Sequence, residues 1–345
     1  ARALLNTPKI LIMDEPTAPL TSEEVTLLFQ TIRKLKEQQV SIIYISHRME
    51  EIFEVCDRCT VFRDGQYIRT LRVRDTDVDE LIRLMVGRSI ENQYPPRVKV
   101  KKDAPNLLEI KNLCTDKIKN ISFVLKQGEI LGIGGLVGAG RTETLRAVFG
   151  CDPHTGEISK NGKRIPVHSP KDAIQHGIVL VTEDRKGQGL LMNLSVSDNM
   201  VLPILEKFIR GVCVSKKEME KRTEEMTARL HIKTPSMKQL VAFLSGGNQQ
   251  KVIISRWLLA EADVILFDEP TRGIDVGAKY EIYSLMNELK QMGKSIVMVS
   301  SDMPELMGMS DRILVMSEGK ITGELTDPEQ FDQEMILRKA SGLTG

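Results

Sequence analysis

Apolar and polar positions follow two rhythms along the chain, and the change between them marks out its elements. Lys9 to Met13 is a short apolar run of strand length, and Thr21 to Glu37 carries Leu27, Leu28, Ile32 and Leu35 at helical spacing. Thr21 with Glu24 three positions later forms a capping box, which predicts where that helix starts. Val40 to Ile45 is a second apolar run, and Thr60 to Phe62 leads into Asp64-Gly65, as a strand enters a tight turn. Short apolar strands alternating with an amphipathic helix predict parallel α/β architecture.

Between Tyr94 and Pro105 the pattern dissolves into proline and charge, the composition of a linker, and Lys99, Lys101 and Lys102 read as its solvated face. Alternation resumes at Leu107, and the runs Ile121 to Leu125 and Glu129 to Ile133 predict strands leading to a glycine-rich turn. Ser215 is expected to cap a charged helix reaching about Leu230, within a more helical insert spanning roughly 188–260. The sheet pattern returns at Val264.

Self-comparison adds the decisive constraint. Ile10 to Thr17 recurs as Val264 to Thr271, and Ser41 to His47 recurs as Ser295 to Ser301, at a constant offset of 254 residues. Constant register over such a stretch predicts duplication of one fold, because chance similarity does not preserve loop lengths. Two motifs of the second copy, Gly135 to Thr142 and Leu244 to Gln250, have first-copy counterparts that would fall before residue 1. The chain is therefore expected to begin inside its first repeat. The expected division is a remnant of the first copy over 1–90, a linker over 91–106 and a complete second copy over 107–345.

Charge and composition remove several function classes. The 345 residues carry 48 Lys+Arg against 47 Asp+Glu, so no global field draws the chain to nucleic acid or an anionic membrane. An aromatic share of 4% disfavours a base-stacking surface. The five cysteines have no second CxxC to complete a zinc site around Cys56 and Cys59, and read as free thiols. The first residues lack a signal-peptide layout, and no apolar stretch is long enough to span a bilayer.

The candidate chemistry is phosphate chemistry. Gly135, Gly138 and Gly140 let backbone N–H groups close around phosphate oxygens at a helix start, and Thr142 would place its hydroxyl on Mg²⁺. The pattern is a P-loop with its lysine replaced by Arg141, a broader, planar cation. Each Asp-Glu pair follows an apolar strand and precedes Pro-Thr. The first carboxylate of each (Asp14, Asp268) would hold Mg²⁺, and the second (Glu15, Glu269) would polarise the attacking water. His47, at a strand end, would contact the γ-phosphate and align that water.

Leu244-Ser-Gly-Gly-Asn-Gln-Gln-Lys251, with a P-loop upstream and an Asp-Glu-Pro strand downstream, resembles the ATP-binding cassette (ABC) proteins. More narrowly, Val181-Thr-Glu-Asp-Arg-Lys186, Asp268 to Ala278 and Met85 to Ser89 resemble the tandem ATPases of monosaccharide importers of the ribose, galactose, xylose and arabinose group. The likeness implies a P-loop NTPase cassette of class α/β, with a mixed sheet and a helical subdomain, plus a partial second cassette. It also implies ATP sites shared head-to-tail between the cassettes. One site would join Asp14, Glu15 and His47 to Ser245, Gly246 and Gly247 across the interface; the other would use Gly135 to Thr142, Asp268 and Glu269, and Asp275 would communicate between them. The second site departs from the family at Arg141, at Glu183 where glutamine is usual, and at Ser301 where histidine is expected. Cassettes stack adenine on an aromatic residue, and none occurs between Leu107 and Ser122. Slow or absent turnover is expected there.

The family further implies permease subunits and a periplasmic or extracellular sugar-binding protein as partners, no nucleic acid, and a peripheral place on the cytoplasmic face of the membrane. In that family the stretch from about Glu183 to Pro203 receives a permease helix, with Leu190, Leu191 and Met192 as candidates for contact or for core packing. Two other classes stay open: a soluble tandem cassette acting on ribosomes or DNA, and a nucleotide-binding regulatory module without turnover.

Overall fold

The structure is a computed structural model that describes residues 8–341, apart from 18–19, 21, 47–48, 64, 87–93, 102, 212 and 275. It divides into two compact units, residues 1–93 with 275–277, and residues 94–274 with 278–345. Among the described residues no helix is long and apolar enough to cross a membrane.

The first unit runs β1 (Ile10–Asp14), α1 (Ser22–Glu37), β2 (Ser41–Ile45), α2 (Met49–Val55), β3 (Arg58–Arg63), β4 (Gln66–Arg72) and α3 (Val78–Val86). β1 and β2 pair in parallel, Ile10 opposite Ser41, whereas β3 and β4 form a separate antiparallel hairpin. A small core of Ile52, Val61, Val73 and Leu81 holds the hairpin to the helices. A cavity of about 940 Å³ separates the two sheets, lined by residues of β2 and of β3. Thr21, expected to cap α1, lies outside the described residues.

The second unit opens with β5 (Asn106–Cys114), β6 (Ile121–Lys126), β7 (Ile130–Gly135), α4 (Arg141–Val148), β8 (Thr155–Lys160), β9 (Lys163–Arg164), α5 (Pro170–Gln175) and β10 (Ile178–Val181). The helical segment holds α6 (Val196–Val201), a short hairpin of β11 (Ile209–Arg210) and β12 (Cys213–Val214), α7 (Lys216–Arg229) and α8 (Gly246–Leu259). The chain closes with β13 (Val264–Asp268), α9 (Val276–Gln291), β14 (Ser295–Val299), α10 (Met303–Met309), β15 (Arg312–Ser317), β16 (Lys320–Leu325) and α11 (Gln333–Ala340). The central sheet has the order β10-β13-β14-β7-β15-β16 and is parallel except for β16.

The period of two along each strand sorts its side chains between two cores. Ile265, Phe267, Ile296 and Met298 join the helices on one face, while Val264, Leu266, Val297 and Val299 join the antiparallel sheet β6-β5-β8-β9 on the other. A strand covered on both faces reads as an unbroken apolar run, as Val264-Ile-Leu-Phe does.

Ser215 stands at the N-cap of α7, but its hydroxyl makes no capping bond; its backbone N–H donates to the Phe208 carbonyl at 2.9 Å. Within the stretch read as linker, Tyr94 to Arg97 docks on the second unit. The Tyr94 ring lies 5.2 Å from that of Tyr283, and Asn287 donates to the Pro96 carbonyl at 2.9 Å. Arg97 lies over the Phe331 ring and donates to the Met307 carbonyl.

Candidate functional site

β13 delivers Asp268 and Glu269 to the end of the parallel sheet, beside the turn that leaves β7. That turn needs glycine at two places. A Cβ at Gly135 would lie 2.5 Å from the Met316 carbonyl oxygen. Gly140 takes φ 96° as the N-cap of α4, a left-handed conformation costly for other residues. Gly138 forms the exposed crest, with open space around it. Just inside α4, the Thr142 hydroxyl donates to Asp268 Oδ1 at 3.0 Å. The Asp268 carboxyl is 4% exposed, and burial pushes it up to about 6.

Arg141 turns inward rather than toward the crest. It is 9% exposed, donates to the Ser300 carbonyl at 2.9 Å and lies 3.7 Å from Glu269 Oε1. Glu269 Oε2 accepts from both the backbone N–H and the hydroxyl of Ser301, each at 3.0 Å. Both oxygens of the carboxylate therefore face donors of this chain. Glu269 sits at φ 49° and Glu15 at φ 43°, so both repeats hold this glutamate in the left-handed region. Such a backbone costs about 1–3 kcal/mol and persists only where the surroundings fix it.

Ser245 is exposed at the N-terminus of the 14-residue helix α8, its hydroxyl accepting from Asn248; Gly246 is half-buried and Gly247 buried. A Cβ at Gly247 would lie 2.7 Å from that of Ala278, so the helix start approaches its neighbour closely. Glu183 pairs with Arg272, and Arg185 donates to the carbonyls of Arg272 and Gly273. Those two contacts tie the loop after β10 to the loop after β13, and sequence reasoning missed both. Leu190 and Met192 pack into the core, and Leu191 is exposed.

In the first unit Asp14 and Glu15 end β1, both exposed, with the Glu15 N–H donating to Ile45 O at 2.9 Å. Glu269 N–H donates to Val299 O in the same way at 3.0 Å. His47 and Asp275 lie outside the described residues.

Residues 118–272 match the family model described as ABC transporter. The ribose import ATP-binding protein of Clostridium tetani is 49% identical over 342 residues, which cover 98% of this chain and 67% of that protein. The chain belongs to the ABC transporter family. Its counterpart of the same name in Bacillus cereus is 46% identical over 344 residues, covering 99% of this chain and 69% of that protein. Among solved structures, a dimeric post-hydrolysis ATP-binding cassette bound to ADP and phosphate superposes with TM-score 0.55 at 25% identity, covering 64% of this chain and 98% of its own. A nucleotide-free cassette, at TM-score 0.58 and 20% identity over 65% of this chain and 93% of its own, shares the fold. As an ABC ATP-binding subunit, the chain is an ATPase component of a transporter.

Proposed function

We propose that this ABC subunit drives import of a monosaccharide, ribose being the sugar named for its relatives, and that ATP is hydrolysed at the site built on Glu15 while the site built on Glu269 binds nucleotide without efficient turnover. The observation that carries the weak turnover proposed for the second site is the engagement of Glu269, with Arg141 against one oxygen and Ser301 against the other. A general base must offer a free oxygen to water. In this reading residues 1–90 are the remnant of a first cassette, 91–106 the linker and 107–345 the second cassette.

The Gly135–Thr142 loop would cradle phosphates with its N–H groups and the helix start. Thr142 Oγ1 and Asp268 Oδ1 offer adjacent oxygens that fit Mg²⁺, and a buried carboxyl with a raised pKa is a group that a cation relieves. Bound Mg²⁺ would neutralise phosphate charge. Ser245, Gly246 and Gly247 would close the Glu15 site across a head-to-tail pair, where exposure of Ser245 at the start of α8 supports an anion contact. His47 would align the attacking water there, and Asp275 would link the two sites. Permease subunits and an external sugar-binding protein are the partners this role requires, with the subunit peripheral on the cytoplasmic face.

The test is ATP turnover by the full-length protein with its permease. Glu15→Gln is expected to lower the rate by about 10²- to 10⁴-fold, whereas Glu269→Gln should leave it within about twofold. Equal losses from both changes overturn the reading.

A further inference from the structure

Behind each carboxylate pair lies a second, buried glutamate that the chemistry above does not use. In the first unit Glu51, on α2, is 3% exposed; its Oε1 accepts from Thr17 at 2.6 Å, and its Oε2 from Tyr44 at 2.8 Å and Ser46 at 2.7 Å. In the second unit Glu305, on α10, is 1% exposed; its Oε1 accepts from Thr271 at 2.7 Å and its Oε2 from Ser300. Glu51 and Glu305, Thr17 and Thr271, and Ser46 and Ser300 all stand at the repeat offset of 254 residues.

The partners are telling. Thr17 lies two residues after Glu15, and Ser46 immediately precedes His47. One buried carboxylate thus grips both the turn that carries the water-activating glutamate and the end of the strand that leads to the histidine. Charge-assisted hydrogen bonds of this kind are short and directional, and in a dry setting they fix their partners closely. The second unit displays the outcome of the same clamp: with Ser300 held by Glu305, the next residue, Ser301, meets Glu269 through two bonds. The clamp also answers what keeps Glu15 and Glu269 in the left-handed region, because the threonine two positions on is anchored in both repeats.

We infer that Glu51 is a positioning residue for ATP hydrolysis: through Thr17 and Ser46 it holds the turn that follows Glu15 against the end of β2, and Glu305 is its counterpart in the second site. The inference rests on the reading that Glu15 serves the hydrolytic site. A misplacement of about 1 Å can cost a reaction on the order of a hundredfold, so the effect belongs in kcat rather than in nucleotide affinity.

The experiment measures steady-state ATP hydrolysis by the full-length protein with its permease. Glu51→Ala is expected to lower kcat by about ten- to a hundredfold with KM for ATP within about twofold. Glu51→Gln keeps one acceptor and nearly the same shape, and should lose less, with an unchanged melting temperature. Thr17→Val and Ser46→Ala each cut one leg, and combined with Glu51→Gln they should show strong non-additivity. Glu50→Ala, at the exposed neighbour on the same helix, should leave kcat within about twofold. Unchanged kcat in a folded Glu51→Gln and in both single-leg variants, or kcat and KM failing in step with a fallen melting temperature, would overturn the inference. If Glu15→Gln itself leaves turnover intact, the underlying reading fails instead.

Discussion

In the first unit Asp14 and Glu15 end β1 exposed, whereas Asp268 and Glu269 end β13 at 4% and 9% exposure. The backbones agree: the same strand register, the same N–H bond to the neighbouring strand, the same left-handed glutamate. A second pair repeats the contrast. Lys36 and Asp57 meet at 2.9 Å with side chains 40% and 80% exposed, and their counterparts Lys290 and Asp311 meet at 2.6 Å with 3% and 14%. Duplicated geometry thus does not fix energetics. What surrounds a pair decides whether it is a solvated contact or a committed part of the interior.

Breaking the ion pairs gives the largest expected difference. Asp311→Ala strands Lys290 in the interior and removes the acceptor of the Ile130 N–H, so a loss of about 3–5 kcal/mol is expected. Asp57→Ala should cost under about 1 kcal/mol. Chemical denaturation of the 345-residue chain compares them; similar losses would show that burial is not what separates the repeats.

The next effect is a pH dependence. Asp268 is raised by burial from 3.8 to about 6, above its unfolded value. The stability it confers is then present below about pH 4 and lost as pH rises through about 6. In nucleotide-free, metal-free protein at pH 8, Asp268→Asn should stabilise by about 2–3 kcal/mol. That gain should vanish near pH 4, and a gain independent of pH would contradict the assignment.

The smallest effect is also the sharpest on function. In a Glu15→Gln background, Arg141→Lys, Glu183→Gln and Ser301→His together should raise residual ATP turnover at least about tenfold. No rise would mean that these side chains are not what silences the second site.

Much of this was legible in the sequence, because the repeat, the glycine-rich turn and the Asp-Glu-Pro strands are local patterns with local causes. The long-range partners were not. Arg141 finds the Ser300 carbonyl 159 positions away, and Thr271 finds Glu305 34 positions away. Glu51 and Glu305 carry no local motif; their equal spacing from the two Asp-Glu pairs was the available signal. Tyr94 to Arg97 carried the composition of a linker, yet aromatic stacking and carbonyl bonds dock it. Ser215 had the residue type of a cap, yet its hydroxyl makes no capping bond.

The gap between β2 and β3 has a practical consequence. Natural sheets shield a bare edge with lysine, proline or a bulge. β1 reads Ile-Leu-Ile-Met-Asp and β2 reads Ser-Ile-Ile-Tyr-Ile, with Ile10, Ile12 and Ile43 more than half open to solvent and Ile45 nearly so. Short β-branched segments with so little charge recruit strands from other molecules. The solubility of this unit therefore depends on cover over this face, such as the antiparallel sheet gives Val264, Leu266, Val297 and Val299 in the second unit, as well as on a strand beside β2, and preparations lacking them invite chain-to-chain stacking.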